Sequence, residues 1–355
     1  MTDGLKQLRT QIDRIDDELL KLVSQRAGLA QQIGHLKDND AVLRPEREAQ
    51  ILQRMQNNNT GPLSKQAVAQ LFTEIMSQCR ALEAPLSVAY LGPEGTFSEA
   101  AALKRFGSAV QGKPCTTIDE VFRAVESGTV NFGMVPVENS TEGAIGRTLD
   151  LLLQSPLKVC GEVMLAVHHC LMAHHGDLNA IRTVFSHPQS LAQCQNWLAK
   201  NLPKADRIPV ASNAEAASRA ASQNVSGAAI ASKRASELYD LQILDENIED
   251  DAKNTTRFLV IGSPDVAPSG RDKTSLVMSA ANRPGAVHDL LAPLAKHGVS
   301  MTKLESRPAR SGLWEYVFFL DIEGHQSDTK VAAALAELKQ VAAFVKVLGS
   351  YPVAA

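Results

Sequence analysis

Asn254-Thr255-Thr256-Arg257-Phe258-Leu259-Val260-Ile261-Gly262 begins polar and ends as an apolar run with the character of a buried strand. Two hydroxyls and a guanidinium stand directly before that run. A hydroxyl donor beside a fixed cation at a strand entrance suits a small anionic ligand. Taken alone, however, these residues favour an ordinary polar strand start. The stretch lies between a long α/β segment and a short C-terminal module of different rhythm, so it predicts a junction between domains.

Length and composition limit the kinds of protein that this chain can be. With 355 residues, of which 44% are hydrophobic, it can bury large cores and should form two or three domains. A net charge of −3 gives no electrostatic footprint for nucleic acid. The sequence has no run of about 18 apolar residues, so we expect no membrane span. It also lacks a glycine-rich dinucleotide motif and a Walker motif, so we expect no nucleotide cofactor. The five cysteines form no Cys-x-x-Cys pair, and the N-terminus has no signal-peptide pattern. We therefore expect reduced thiols and a cytoplasmic protein.

The first 84 residues have the pattern of an all-helical domain. A 4-3 spacing predicts one long amphipathic helix with a coiled-coil-like seam, formed by Leu8, Ile12, Ile15, Leu19, Leu22, Leu29, Ile33 and Leu36. Arg26 occupies the missing seam position, and Lys37, three turns further on, projects from nearly the same face. A guanidinium on a core-facing stripe is costly unless it is paired.

Two shorter helices bring carboxylates to the same core. Pro45 predicts the start of a second helix, in which Glu48 faces the apolar side. The third helix has Cys79 and Glu83 on its apolar stripe. Both a buried ion-pair network that fixes the helix register and a pocket in which cations clamp a small polyanion fit this pattern. The pattern alone favours neither.

Residues 86–262 alternate strands with helices and repeat one local design. A strand runs into a polar turn and a helix start at Gly92-Pro93-Glu94-Gly95-Thr96-Phe97-Ser98, at Val135-Pro136-Val137-Glu138-Asn139-Ser140 and at Ser186-His187-Pro188-Gln189-Ser190. Ordinary helix capping explains each turn alone. Three such turns at strand ends favour an open α/β fold with its ligand in the crevice where they meet.

A histidine-rich stretch within this segment predicts a structural strand. Strand alternation separates His169 from His168 and Cys170, and the spacing to His174 and His175 matches no zinc motif. We therefore expect no metal and a strand whose histidines face the solvent.

Residues 272–355 predict the order β-α-β-β-α-β of a ferredoxin-like α+β sandwich. Pro284-Gly285 opens its first helix, and His297-Gly298 ends that helix. No paired acid and base stands out in this module.

In the helical segment, Ile15-Asp16-Asp17-Glu18-Leu19-Leu20, Arg26, Lys37 and Arg44-Pro45-Glu46-Arg47-Glu48 resemble the all-helical chorismate mutase domain. The resemblance implies an intertwined dimer in which Arg9 enters the partner's active site. It also implies that Arg26 and Lys37 grip chorismate, that Glu48 accepts its ring hydroxyl, and that Arg47 and Cys79 bind it. The rearrangement to prephenate needs no nucleophile, only the compact conformer and stabilisation of charge on the breaking ether bond.

The third helix departs from that family's pattern at two positions. Glu83 stands in place of a glutamine of the best-known members, and Cys79 in place of a serine. A carboxyl group can donate to the ether oxygen only while it is protonated. We therefore expect mutase activity to fall at alkaline pH as Glu83 ionises.

The three polar turns and Thr255-Thr256-Arg257-Phe258 occur in the order of the prephenate dehydratase family, which they closely resemble. The resemblance implies a two-lobed α/β fold like that of periplasmic binding proteins, with lobe 1 at about 86–164 and 250–262 and lobe 2 at about 165–249. Thr256 would donate a proton to the hydroxide that leaves prephenate. The other implied substrate-binding residues are Thr96, Ser98, Asn139, Ser140, Thr141, Ser186, Gln189, Ser190, Thr255, Arg257 and Phe258.

Pro284-Gly285-Ala286-Val287 and Glu305-Ser306-Arg307-Pro308 resemble the two signature stretches of an ACT regulatory domain. The resemblance implies that L-phenylalanine binds these residues between paired modules and inhibits the enzyme. A purely structural dimerisation module is the alternative. We expect the effector to act on Thr256 and Arg257 through the connector at residues 263–271.

Together these resemblances cover nearly the whole chain and imply a bifunctional enzyme of phenylalanine biosynthesis. A chorismate mutase domain would occupy residues 1–84, a dehydratase domain 86–262 and an ACT domain 272–355. No cofactor is implied, and the assembly would be a homodimer or larger. A non-catalytic solute-binding protein or ligand sensor is an alternative, against which the missing secretion signal and the Arg26, Lys37 and Glu48 pattern argue. A chain with one vestigial activity is another.

Overall fold

Three helices form the N-terminal module. The computed structural model describes residues 2–36, 43–222, 226–280, 283–308 and 316–354. The helices are α1 (Thr2–Leu36), α2 (Pro45–Asn58) and α3 (Lys65–Ala81). Pro45 lies in the first turn of α2, where its missing N–H is not needed, and Ser64 Oγ caps α3 by accepting a hydrogen bond from the Ala67 N–H at 3.1 Å. The predicted long N-terminal helix is confirmed as far as Leu36.

Helix α1 presents its apolar stripe to the outside of the protomer. Its 35 residues span about 52 Å at ~1.5 Å per residue. The exposed fraction is between 50% and 61% for Leu8, Ile12, Ile15, Leu19, Leu22, Leu29 and Ile33. Near its C-terminal end, α1 lies against the residues that follow α3: a Cβ atom on Gly34 would lie 3.1 Å from Glu83 Cβ. An apolar stripe of this length needs a second surface to cover it.

The first lobe is a mixed sheet with helices on its faces. Its strand order is β2-β1-β3-β11-β5, and the short β4 pairs with β3. The strands are β1 (Ser87–Leu91), β2 (Gln111–Cys115), β3 (Phe132–Asn139), β4 (Gly143–Ala144), β5 (Lys158–Ala166) and β11 (Thr255–Gly262). The helices are α4 (Phe97–Phe106), α5 (Ile118–Glu126) and α6 (Gly146–Gln154). Strand β11 is antiparallel to both of its neighbours because the chain returns to this sheet from the second lobe.

The second lobe is a separate five-stranded sheet of order β10-β6-β9-β7-β8. Its strands are β6 (Cys170–Ala173), β7 (Thr183–Ser186), β8 (Asp206–Pro209), β9 (Gly227–Ala231) and β10 (Gln242–Asp245). Its helices are α7 (Pro188–Gln193), α8 (Gln195–Asn201), α9 (Asn213–Ser222) and α10 (Lys233–Tyr239). The outgoing and returning chains run side by side where the lobes meet: the Val167 N–H donates to the Asn254 carbonyl at 2.8 Å. The predicted two-lobed α/β architecture is therefore confirmed.

The C-terminal module has the predicted ferredoxin-like order. Its elements are β12 (Asp272–Ser279), α11 (Ala286–Lys296), β13 (Met301–Pro308), β14 (Tyr316–Glu323), α12 (Thr329–Val341) and β15 (Phe344–Pro352). The strand order is β13-β14-β12-β15, and both helices pack on one face of this sheet. Among the described residues, no helix is both long and apolar enough to cross a membrane.

The other face of the C-terminal sheet is buried against the first lobe. Val317, Phe319 and Tyr351 belong to one apolar core with Val135, Leu259 and other residues of the first lobe. Strands β5 and β15 approach so closely that a Cβ atom on Gly349 would clash with the backbone of Val159. The sequence predicted the module itself, but not that it would lie directly under the strand that contains Thr256.

Candidate active-site cleft

The three polar turns converge in a cleft between the two lobes. The cleft has a volume of about 480 Å³, and residues of both lobes line it. The first lobe contributes the turn before α4, the end of β3 and the start of β11, and the second contributes α7 and the start of α9. Predicted site residues that line the cleft are Thr96, Ser98, Asn139, Gln189, Ser190, Thr256 and Phe258.

Thr256 and Asn139 form a hydrogen-bonded pair on the floor of the cleft. They are register partners on β11 and β3, and only 8% and 7% of their surfaces are exposed. Asn139 Nδ2 donates to Thr256 Oγ1 at 2.9 Å and to Asn254 Oδ1 at 2.8 Å. Because Thr256 Oγ1 accepts from the amide, its own proton can point into the cleft. A donor on that oxygen also stabilises the negative charge left when the proton departs.

A chain of polar side chains continues from this pair into the second lobe. Asn254 Nδ2 donates to Gln193 Oε1 at 3.1 Å, and His169 Nε2 lies 2.9 Å from the same oxygen. The amide oxygen can only accept, so His169 has its proton on Nε2 and a lone pair on Nδ1. Nδ1 is buried and has no partner among the described residues. Burial lowers the pKa of His169, which keeps the imidazole neutral near pH 7.

The position of His169 corrects the sequence analysis. The prediction that the histidines face solvent is wrong for His169, which is 1% exposed and lines the cleft beside Phe97. His168 is the more exposed of the two and pairs with Glu249 through Nδ1 at 2.7 Å. The strand begins only at Cys170, so His169 lies in the crossing between the lobes and is not governed by strand alternation. Gln193, Asn254 and Asn213 were also missed.

Two hydroxyl side chains at helix starts on the edge of the cleft are fixed by hydrogen bonds within the protein. Thr96 Oγ1 accepts from the Glu99 N–H at 3.4 Å and donates to the Leu91 carbonyl at 3.0 Å. Ser190 Oγ accepts from Asn213 Nδ2 at 2.8 Å. Thr96 and Ser190 therefore both line the cleft and hold its walls in place.

Comparisons with known proteins match every module in turn. Family models match as follows: chorismate mutase type II over residues 8–84, prephenate dehydratase over 88–266 and ACT domain over 274–340. A bifunctional chorismate mutase/prephenate dehydratase of Neisseria gonorrhoeae is 53% identical over 98% of this chain and 96% of its own. One of Aquifex aeolicus is 43% identical over 99% of this chain and 98% of its own. A prephenate dehydratase of Arthrobacter aurescens, solved in complex with L-Phe, matches with a TM-score of 0.70 and 33% identity over 75% of this chain and 90% of its own.

The chain belongs to the bifunctional chorismate mutase/prephenate dehydratase family.

Within the dehydratase module, the structure corrects the assignment of Arg257 as a substrate-binding residue. Its guanidinium lies on the opposite face of the sheet from Thr256, because neighbouring residues of a strand point to opposite faces. There it donates to Glu162 at 2.8 Å, to Asp321 at 2.5 Å and to the Tyr351 hydroxyl at 3.0 Å. Burial alone would lower the pKa of Arg257, but Tyr351 and the two carboxylates raise it above its usual value.

Four other predicted binders brace the site and do not line it. Ser186 is fully buried and is hydrogen-bonded to Asn213 Oδ1 and to the Ile230 carbonyl, both at 2.9 Å. Ser140 Oγ accepts from the Thr255 N–H at 2.9 Å, Thr255 Oγ1 donates to the Lys253 carbonyl at 3.3 Å, and Thr141 Oγ1 donates to Asn254 Oδ1 at 3.3 Å. The contacts of Ser140 and Thr141 fasten the start of β11 to the turn after β3.

The predicted mutase residues that the structure describes are distributed over the three helices of the N-terminal module. Arg26 is half-buried on α1, Arg9 and Arg47 are exposed, Cys79 is buried, and Glu83 is half-buried at the end of α3. Lys37 lies outside the described residues. Glu48 is ion-paired with Arg80 of α3 and, at 2.8 Å, with Arg105 of α4 in the first lobe. The sequence analysis gave neither arginine a role.

In the ACT module, the second predicted effector stretch is divided between two faces of the sheet. Ser306 is in register with Phe318, which packs in the core under α11 and α12. Arg307 points the other way, where its guanidinium lies against Gly146 and 3.4 Å from Asp150 of α6. The prediction that Arg307 binds the effector is therefore wrong in this structure, because its guanidinium is bound in the contact with the first lobe. The first stretch, Pro284 to Val287, forms the exposed start of α11.

Proposed function

We propose that this chain rearranges chorismate to prephenate in its helical module and converts prephenate to phenylpyruvate in the two-lobed cleft. The dehydratase assignment rests on the buried Asn139–Thr256 pair on the cleft floor, in which Asn139 Nδ2 lies 2.9 Å from Thr256 Oγ1. A hydroxyl whose oxygen accepts from an amide N–H is oriented to donate its own proton to a bound group.

In the proposed dehydration, the enzyme must supply one proton to the ring hydroxyl oxygen of prephenate. As the bond to the ring carboxylate breaks, its electron pair enters the ring, CO₂ leaves, and the ring hydroxyl departs on the opposite side. Thr256 protonates that hydroxyl, so that water leaves, and then regains a proton from solvent. Asn139 stabilises the charge on the threonine oxygen in between. Phe97, Pro136 and Phe258 line the cleft, and such an apolar wall favours loss of the carboxylate charge.

Asn139 can be tested against a matched asparagine elsewhere. Asn139→Ala should lower kcat for dehydration about 100-fold, the usual cost of removing one donor to a charge that develops during the reaction. Asn201→Ala is the control, since Asn201 is exposed on α8 and its side-chain amide donates to the Trp197 carbonyl of the same helix, away from the cleft. Prephenate consumption would be followed as phenylpyruvate absorbance. Equal rates in the two variants would contradict the proposed mechanism, and a wild-type chain that binds prephenate without turnover would support the ligand-sensor alternative.

For the mutase, we propose a homodimer in which each α1 covers the apolar stripe of the other. Two observations support this arrangement. All eight seam residues of α1, from Leu8 to Leu36, are at least half exposed in one protomer. Arg9 and Arg26 are also about 25 Å apart along a straight helix at ~1.5 Å per residue, so both can reach one small substrate only if they come from different chains.

Subunit mixing tests the shared site. Arg9→Ala and Arg26→Ala homodimers should each be inactive as mutases. Random reassociation of equal amounts should restore about a quarter of wild-type activity, because half the dimers are mixed and each mixed dimer has one intact site. Mixing without any recovery would show that Arg9 does not act in the partner's site. Dehydratase activity in the same samples is the control for folding.

We propose that L-phenylalanine binds the ACT module and inhibits the dehydratase. The complex of the Arthrobacter aurescens relative with L-Phe supports this assignment. In this chain the exposed start of α11 and Ser306, on the helix-bearing face of the sheet, remain as candidates for the site. We also propose that the protein is cytoplasmic, in keeping with the five free, buried cysteines.

A further inference from the structure

Four charged residues form two ion pairs between the catalytic strands and the ACT module. On the first lobe, Glu138 and Arg257 are register partners on β3 and β11. On the ACT module, Lys303 and Asp321 are register partners on β13 and β14. Lys303 Nζ lies 2.6 Å from Glu138 Oε2, and an Arg257 guanidinium nitrogen lies 2.5 Å from Asp321 Oδ2. We call Glu138, Arg257, Lys303 and Asp321 the charge quartet.

The charge quartet lies directly behind the catalytic pair. Strand β3 places Asn139 in the cleft and the adjacent Glu138 against the ACT sheet. Strand β11 likewise places Thr256 in the cleft and Arg257 against the ACT sheet. The peptide unit between adjacent residues is rigid. A shift of the ACT sheet relative to the first lobe therefore acts on Asn139 and Thr256 through a single peptide link on each strand.

The ladder between the two strands is irregular at the same point. The register of β11 against β3 shifts between Arg257 and Phe258, whereas its register against β5 is regular from Thr255 to Val260. Irregularities of this kind re-aim side chains next to active sites. The buried Arg257–Asp321 pair holds the residue next to Thr256 at this irregular point of the ladder.

We propose that the charge quartet positions Thr256 and Asn139 for dehydration and transmits the state of the ACT module to them. None of the four residues touches the cleft, so they are positioning residues. This inference rests on the proposed roles of Thr256 and of the effector. It also replaces the connector at 263–271 as the expected route, because a direct side-chain contact is far shorter than a loop. Lys303 lies on the same strand as Ser306, so movement at that part of the effector face reaches the quartet within β13.

The more exposed pair, Glu138 and Lys303, allows a charge swap without disturbing the buried pair. We would compare Glu138→Gln, Lys303→Met and the double variant Glu138→Lys/Lys303→Glu with the wild type. Asp150→Asn is the matched control, because it removes the Arg307 ion pair across the same interface but lies on α6 and not on a catalytic strand. The full-length chain is used throughout, and mutase activity reports folding.

The single variants should lower kcat for prephenate about tenfold with little change in KM, and should raise the L-phenylalanine concentration for half inhibition about tenfold. The swap should restore both values, while Asp150→Asn should leave kcat unchanged. Wild-type kcat and inhibition in both single variants, or a swap as impaired as they are, would overturn the proposal.

Amide hydrogen exchange at residues 255–258 gives a readout that does not depend on turnover. Exchange should accelerate in the two single variants and return to the wild-type rate in the swap. Unchanged exchange in all variants would overturn the role of the charge quartet. A wild-type chain that produced no phenylpyruvate would count against the proposed function. The exchange rates would still show whether the charge quartet holds residues 255–258 in place.

Discussion

Replacing Arg257 with methionine is the perturbation for which the structure gives the clearest expected magnitude. Methionine keeps much of the side-chain length but removes the guanidinium. Glu162 retains the ammonium of Lys273 at 2.9 Å, whereas the side chain of Asp321 retains, among the described residues, the Ser275 hydroxyl at 2.5 Å and no cation. One carboxylate, whose side chain is 8% exposed, is thus left without a countercharge. Removing one partner of a buried pair costs about 3–5 kcal/mol, so we expect the free energy of unfolding to fall by that amount.

The assay is urea unfolding followed by circular dichroism, at a fixed protein concentration because the proposed dimer would make stability depend on concentration. Arg147→Met is the control, since Arg147 forms an exposed ion pair with Asp119 that solvent screens. The double variant Arg257→Met/Asp321→Leu should regain most of the loss by removing the orphaned charge. If Arg257→Met lost no more stability than Arg147→Met, the reasoning would be refuted.

The same variant has a defined pH dependence. A buried carboxylate without a countercharge binds a proton more tightly in the folded state than in the unfolded chain. Its folded-state affinity for protons is raised, so the stability deficit is largest at neutral and alkaline pH and shrinks as the pH falls through the folded-state titration. A deficit that grew toward acid pH would mean that the loss has another cause.

Three further predictions concern the two sites and their connection. Because burial lowers the pKa of His169, the acid limb of the dehydratase profile should lie below the ordinary histidine value of 6.5, and His169→Asn should remove that limb; a limb unchanged in His169→Asn would assign it to another group. Glu83→Gln should flatten the alkaline fall of mutase activity, and an unchanged profile would show that ionisation of Glu83 is not its cause. Inserting flexible residues after Ala267 should leave inhibition by L-phenylalanine nearly intact, since the charge quartet bypasses the connector; loss of inhibition would restore the connector as the route.

The sequence predicted those features that depend on local periodicity. The 4-3 spacing of α1 and the β-α-β-β-α-β order of the C-terminal module both appear in the structure as expected. The convergence of the turns at Thr96, Asn139 and Gln189 in one cleft also followed from their common position after strands.

Contacts between distant segments could not be predicted in the same way. Strand alternation places Thr256 and Arg257 on opposite faces of the sheet, which the assignment of both residues to the substrate overlooked. No local pattern shows that Arg257 pairs with Asp321, which lies in another module. His169 and Gln193 join the site because the chain crosses between lobes there, and no local pattern marks such a crossing. Glu48 meets Arg105 because α2 packs on α3, which lies against α4 of the first lobe.

The central claim is that Thr256 is the proton donor of the dehydratase, and the full-length Thr256→Ala variant tests it most directly. Chorismate is supplied, and chorismate, prephenate and phenylpyruvate are measured together over time, so that the mutase reports that the same chain is folded. The account predicts unchanged chorismate consumption, accumulation of prephenate, and a loss of phenylpyruvate formation of about 100-fold or more, as expected for a general acid. Phenylpyruvate formation at the wild-type rate would contradict it.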